Sequence, residues 1–225
     1  MKTSIIVYPG SNCDRDIANG ILNVTKKKPN LIWYTDDIPK NTDFVVLPGG
    51  FSFGDYLRSG AIAASSKVTK QVKYFANKGV PILGICNGFQ ILTESGMLPG
   101  TLTLNKKLKF ICKDVCLKIE NSNSIFTKSF SDRIVELPIA HKMGNYIATK
   151  NIIKKLIEND QIAFRYCNNE GLCDEESNPN GSLHNIAGIL SDNYRILGMM
   201  PHPERFTNID YRDNVMKKLI EPLLI

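Results

Sequence analysis

One stretch constrains the fold more than any other: PILGICNGFQIL, residues 81–92. Apolar residues run from Ile82 into Gly84-Ile85-Cys86-Asn87-Gly88, and apolar spacing of helical period resumes at Phe89, Ile91 and Leu92. A strand that turns at once into a helix belongs to a parallel sheet covered by helices. Pro81 stands at the first strand position, where proline is tolerated.

The same alternation runs through the first half. Residues 4–8, 31–34 and 44–47 read as strands. Residues 14–25 read as a helix starting near Asn12 or Cys13. Ile62, Ser65, Val68, Val72, Phe75 and Ala76 predict one further helix, closed by Gly79. The second half is less regular. Residues 110–111, 115–119 and 134–138 predict strands with no helix between them, and 162–166, 187–190 and 196–200 three more. Helices are expected at 148–159 and 210–220. The expected architecture is α/β: an open, doubly wound mixed sheet with a parallel centre and antiparallel additions, in a single domain over residues 1–225. Residues 167–185, CNNEGLCDEESNPNGSLHN, offer little to bury, so they read as a mobile insertion or as a loop facing a ligand or partner.

Composition excludes several classes. With 43% hydrophobic and 22% charged residues the chain can build a core and is not disordered. It has no apolar run long enough to span a membrane. MKTSIIVYPGSN has too short an apolar centre for a signal peptide, so a cytoplasmic protein is expected. The net charge is +6, and the densest basic run, Lys26 to Lys28, reads as a solvated helix end. It lacks the interleaved aromatics of a nucleic-acid face, so no nucleic-acid partner is expected.

Six cysteines stand at 13, 86, 112, 116, 167 and 173, none in a C-x-x-C. Their spacings do not match common zinc sites, so no metal is expected, and five read as ordinary buried or semi-buried thiols. Cys86 is the candidate exception. A nucleophile on a sharp strand-to-helix turn needs small neighbours, and Gly84 and Gly88 supply them. The turn would lift the sulfur above the carboxyl ends of the strands and onto a helix N-terminus, which favours thiolate. The Asn87 N–H would then point where an oxyanion forms. Taken alone, the pentapeptide is equally readable as a small buried residue packed between glycines.

A thiolate nucleophile usually needs a base. His202 lies in MMPHPERF after a strand, and Pro201 and Pro203 favour extended backbone there. Residues i and i+2 of an extended chain share a face, which would set Glu204 beside His202 to orient its ring. His141, in PIAHKMGNY, also follows a strand, and His184 sits in the loose loop; either is a further candidate, as base, as ligand contact or as a satisfied polar residue. Upstream, LPGGFSFGDYLRSG carries four glycines but neither a Walker lysine nor G-x-G-x-x-G. Its backbone must approach something closely, and the amide of Gly50 or Phe51 is a candidate second oxyanion donor.

These parts resemble the class-I glutamine amidotransferase family, in the same order along the chain. The longer strings YPGSNCDRD, LPGGFSFGDYLRSGAIAA, GICNGFQILTE, PIAHKMGNY, NPNGSLHNIAGI and GMMPHPER resemble, within it, the glutaminase branch that serves phosphoribosylformylglycinamidine synthase in purine synthesis. The resemblance implies a flavodoxin-like fold, with Cys86, His202 and Glu204 as triad and Gly50 and Asn87 as oxyanion donors. It implies Phe51, Gln90 and His141 as contacts for glutamine. It implies no cofactor in this chain. Ammonia would pass to a large synthetase subunit that uses ATP and Mg, and a small third subunit would complete the complex. An acidic residue is expected at or near Lys142-Met143 in such proteins, so a carboxylate role there does not carry over.

Overall fold

In the computed structural model the structure describes residues 1–205 and 209–224. The chain opens with β1 (Thr3–Val7), α1 (Asp14–Thr25), β2 (Asn30–Trp33) and β3 (Phe44–Leu47). Cys13 is the N-cap of α1, Asp14 and Asp16 complement the positive end of its dipole, and Lys26 closes it in the left-handed conformation. The helix expected across 62–76 is two: α2 (Ala61–Ala64) and α3 (Lys67–Asn77). Ser66 breaks the run by taking extended backbone and accepting a hydrogen bond from the Thr69 N–H, so a local cap overrides an unbroken apolar period.

Then come β4 (Ile82–Ile85) and α4 (Asn87–Glu94), joined by Cys86 alone. β5 (Thr101–Thr103), β6 (Ile111–Ile119), β7 (Ile134–His141) and β8 (Asn145–Ile147) follow. The chain finishes with α5 (Lys150–Glu158), β9 (Ile162–Cys167), β10 (Ile186–Leu190), β11 (Ile196–Met199) and α6 (Ile209–Ile220). The two strand pieces expected at 110–119 are one strand, and β7 runs on to His141. The short pair β5–β8 has no sequence signal of its own, being three residues each side.

Nine strands form one sheet in the order β2-β1-β3-β4-β11-β10-β9-β6-β7. From β2 to β11 the pairs are parallel; from β11 to β7 they are antiparallel. β3, β4 and β11 are buried along their whole length, as strands covered on both faces must be. The carboxyl ends of β3, β4 and β11 lie side by side, with Leu47 opposite Gly84 and Gly84 opposite Gly198. Every group discussed next follows one of these ends or packs against it.

The segment after Cys167 is not loose. Asn180, Ser182 and Asn185 are buried. Asn180 donates to the Gly144 carbonyl and to the Tyr166 hydroxyl, and the Ser182 hydroxyl accepts from the Tyr146 N–H. Asn185 donates to the carbonyls of Tyr166 and Asp174. The expectation of little to bury held for apolar groups only; buried amides bonded to backbone tie this segment down. No described helix is long and apolar enough to cross a membrane.

Candidate active site

Cys86 sits at φ 50°, ψ −103°, a conformation a residue with a Cβ adopts only under strain. Two things hold it there. Its N–H donates to Met199 O at 2.7 Å, and its carbonyl accepts the first helical bond, from the Gln90 N–H. Gly88, on the first turn of α4, lies so close to β3 that a Cβ would be 2.0 Å from the Leu47 carbonyl oxygen. The small residues of GICNG thus let α4 press onto the sheet and force the turn. Cys86 is 5% exposed, at the N-terminus of α4.

His202 and Glu204 are 1% exposed each, and His202 Nδ1 lies 2.7 Å from Glu204 Oε1. They meet across a 3₁₀ turn, Pro203–Arg205, rather than along the extended segment expected. The Arg205 N–H closes this turn on the His202 carbonyl, and Pro203 suits it because its fixed φ is also helical. The His202 N–H donates to Pro138 O on β7, which anchors the ring's backbone to the antiparallel part of the sheet. Burial alone works against an imidazolium here. The Glu204 carboxylate and the Cys86 sulfur outweigh it and hold the His202 pKa well above its ordinary value. The Cys86 sulfur acts on the ring electrostatically, and His202 Nε2, away from Glu204, is buried with no hydrogen-bond partner among the described residues.

Two backbone N–H groups were expected as oxyanion donors. Asn87 is the first residue of α4, where the N–H has no intrahelical acceptor. Gly50 forms an isolated antiparallel bridge with Ser11, made by the Asn12 N–H to Gly49 O and by the Phe51 N–H to Gly10 O. The Phe51 amide is therefore spent, and of the two candidates Gly50 is the one left to donate. The Phe51 side chain is half exposed. After it, Phe53, Asp55 and Leu57 all hold positive φ, and Tyr56 and Leu57 stand out into solvent.

Gln90 and His141 are both buried. Gln90 Oε1 accepts from Asn87 Nδ2 and its Nε2 donates to Met143 O, so both ends of its amide are engaged within the chain. The Asn87 side chain in turn accepts from the Ser52 N–H. His141 Nδ1 pairs with Asn105 Oδ1 at 3.1 Å. Burial, with help from the nearby positive charge on His202, pushes its pKa down to about 3, so it is neutral and an unsuitable imidazolium partner. At Lys142-Met143 the chain uses backbone where an acid was expected. Lys142 O accepts from the Asn105 N–H, Met143 O from Gln90, and Met143 Sδ from the Ser59 hydroxyl.

Three neighbours were not legible beforehand. Cys13 Sγ lies 3.9 Å from His202 Nδ1, although Cys13 read as one of five ordinary thiols. Asn105 orders His141 and the Gly144 N–H. Gly49 lies so close to the His202 ring that a Cβ there would meet its Cε1 at 2.7 Å. Of the other thiols, Cys112 and Cys173 are exposed rather than buried.

Comparison with known proteins matches residues 1–221 to the CobB/CobQ-like glutamine amidotransferase domain. The chain belongs to this glutamine amidotransferase family. It is 45% identical over 225 residues to the phosphoribosylformylglycinamidine synthase subunit PurQ of Gloeobacter violaceus, covering 100% of this chain and 97% of that one. It is 50% identical over 206 residues to PurQ of Rhodospirillum rubrum, covering 91% of this chain and 90% of that one. Among solved structures, a chain of PurLQS from Thermotoga maritima matches with TM-score 0.82 and 36% identity, over 99% of this chain and 97% of that chain. The glutaminase domain of Trypanosoma brucei CTPS matches with TM-score 0.62 at 12% identity and shares the fold.

Proposed function

We infer that this chain is the glutaminase subunit of a phosphoribosylformylglycinamidine synthase. It hydrolyses glutamine and delivers ammonia to a separate synthetase subunit. The observation that carries the chemistry is the strained Cys86 at the N-terminus of α4, with a buried His202–Glu204 pair after the neighbouring strand end. The relatives named PurQ, at 45% identity over the whole chain, carry the place in purine synthesis.

Cys86 thiolate attacks the side-chain carbonyl carbon of glutamine, and the carbonyl oxygen becomes an oxyanion held by the Asn87 and Gly50 N–H groups. Imidazolium His202 gives its proton to the departing nitrogen, the C–N bond breaks, and ammonia leaves a glutamyl thioester. A water then attacks the thioester while His202 takes its proton. Glutamate departs, and thiolate and imidazolium are restored. Glu204 fixes the ring and supports its charge throughout. Phe51 faces glutamine from the glycine loop, and Gln90 and His141 hold the opposite wall in place through Met143 and Asn105.

The partners are a large synthetase subunit and a small third subunit, as in the PurLQS assembly of Thermotoga maritima. The synthetase uses ATP and Mg and converts formylglycinamide ribonucleotide to the amidine. This chain carries no cofactor of its own. The complex works in the cytoplasm.

A diazo-ketone analogue of glutamine tests the site, with the adduct mapped by peptide mass spectrometry. It should label Cys86 alone and fail in His202→Ala, in the free chain or after the synthetase subunit is added. Cys86→Ala should abolish glutamine-dependent synthesis while ammonia-dependent synthesis survives. Labelling spread over several cysteines, or loss of both activities in an intact complex, would sink the reading.

A further inference from the structure

The reaction above uses Glu204 on the Nδ1 side of His202 and gives no role to the thiol beside it. On the Nδ1 side, Cys13 Sγ, a His202 ring nitrogen and a Glu204 carboxylate oxygen lie within 4.8 Å of one another, all three residues buried. Packing asks only for a small apolar residue at the cap of α1. A thiol 3.9 Å from Nδ1 is more than packing needs. Glu204 Oε2 is also buried with no hydrogen-bond partner among the described residues, a costly state for a carboxylate oxygen. A cleft of about 560 Å³ borders His202 and Glu204, with Asp16, Cys112, Asp114 and Arg205 at its walls.

The spacing suits a tetrahedral metal. With Zn–S and Zn–N bonds of the usual length, a thiolate and an imidazole on one ion stand about 3.6 Å apart. Cys13 Sγ and His202 Nδ1 stand 3.9 Å apart. An imidazole and a carboxylate oxygen on one ion stand about 3.4 Å apart. The His202–Glu204 contact of 2.7 Å must open by about 0.7 Å to reach that spacing, or the unpartnered Oε2 must take over.

We propose that Cys13, His202 and Glu204 form a site for a thiophilic divalent cation such as Zn²⁺, and that its binding reversibly switches the glutaminase off. Binding releases the Cys13 thiol proton and the Nδ1 proton of the imidazolium. The remaining ring proton stays on Nε2, so the ring is neutral, bound through Nδ1, and has no free nitrogen to accept a proton from water. Glu204 is drawn to the ion and no longer supports charge on the ring. The inhibition rests on the glutaminase reading; the binding does not.

The first test therefore uses no activity. Full-length Cys86→Ala protein, which lacks the thiol on the other side of His202, is titrated with Co²⁺ and with Zn²⁺. One equivalent should bind, with a thiolate-to-cobalt charge-transfer band. Adding Cys13→Ala should weaken binding by more than about tenfold and remove the band, since one ligand of three is gone. Cys13→Ser serves the same purpose if the alanine variant unfolds, with circular dichroism checking each. Equal binding with and without Cys13 overturns the site, and so does no binding. The second test uses the protein with its own Cys86. Zn²⁺ should slow diazo-ketone labelling, a chelator should restore it, and Cys13→Ala should resist the metal. Labelling indifferent to Zn²⁺ overturns the switch. Failure to label without metal counts against the glutaminase reading alone.

Discussion

A Cβ at position 49 would lie 2.7 Å from Cε1 of His202. The ring is anchored at Nδ1 by Glu204 and at its backbone N–H by Pro138 O, so it can make room only by tilting about these anchors. Gly49→Ala should therefore tilt the imidazole away from Cys86. A misplacement of this size costs on the order of 10²-fold in rate. In the complex with the synthetase subunit, kcat for glutamine hydrolysis should fall that far while KM changes little. A wild-type kcat would show that the ring has slack.

The two buried histidines set opposite pH slopes in separate windows. The folded pKa of His141 is about 3, below its unfolded value of about 6.5. Its neutral form is favoured by folding, so its contribution is present above pH ~6.5 and is lost on acidification towards 3, at up to about 1.4 kcal/mol per pH unit. The folded pKa of His202 is raised, so its contribution is complete below about 6.5 and fades as pH climbs through the folded value. Urea unfolding at pH 6.5 and 5 should show falling stability on acidification. His141→Asn should flatten that slope and leave the alkaline side unchanged.

Gln90 is a buried clamp between Asn87 and the Met143 carbonyl. Gln90→Ala leaves both partners unsatisfied and should cost about 1–3 kcal/mol, which lowers Tm by several degrees in a chain of this size. If its role is the clamp, kcat falls through a displaced elbow and KM for glutamine stays near wild type. A large rise in KM alone would make Gln90 a direct substrate contact.

The backbone at Cys86 carries strain that only glycine avoids. Glycine normally costs about 1 kcal/mol against alanine in ordered structure through its freedom when unfolded. At position 86 the order should reverse, with Cys86→Gly at least as stable as Cys86→Ala in thermal unfolding. An alanine variant more stable by the usual margin would mean the elbow is relaxed.

Asn180 is fully buried and donates to Gly144 O and Tyr166 while accepting from Ser182. Asn180→Ala strands several of these groups and should cost at least about 2 kcal/mol. Hydrogen exchange should report it first around Gly144 and Tyr146, where this segment meets the strand pair β5–β8.

The amino-acid sequence by itself determined the layered architecture and the elbow. Continuous apolar runs at 44–47 and 82–85 can only be strands covered on both faces, and glycines at 84 and 88 leave one sharp way from strand to helix. These are local rules of period and bulk, readable wherever neighbours in the chain are neighbours in space. The tertiary structure alone decided what stands around His202. Beyond Glu204, which the sequence itself sets beside it, Cys13 and Gly49 reach the ring from two distant parts of the chain, and no short-range pattern marks a thiol as destined for a histidine 189 residues away. The same holds for the polar segment after Cys167, whose amides are buried because distant backbone carbonyls need donors. Hydrophobic patterning records what must leave water, and a buried hydrogen bond is recorded only where its partner arrives.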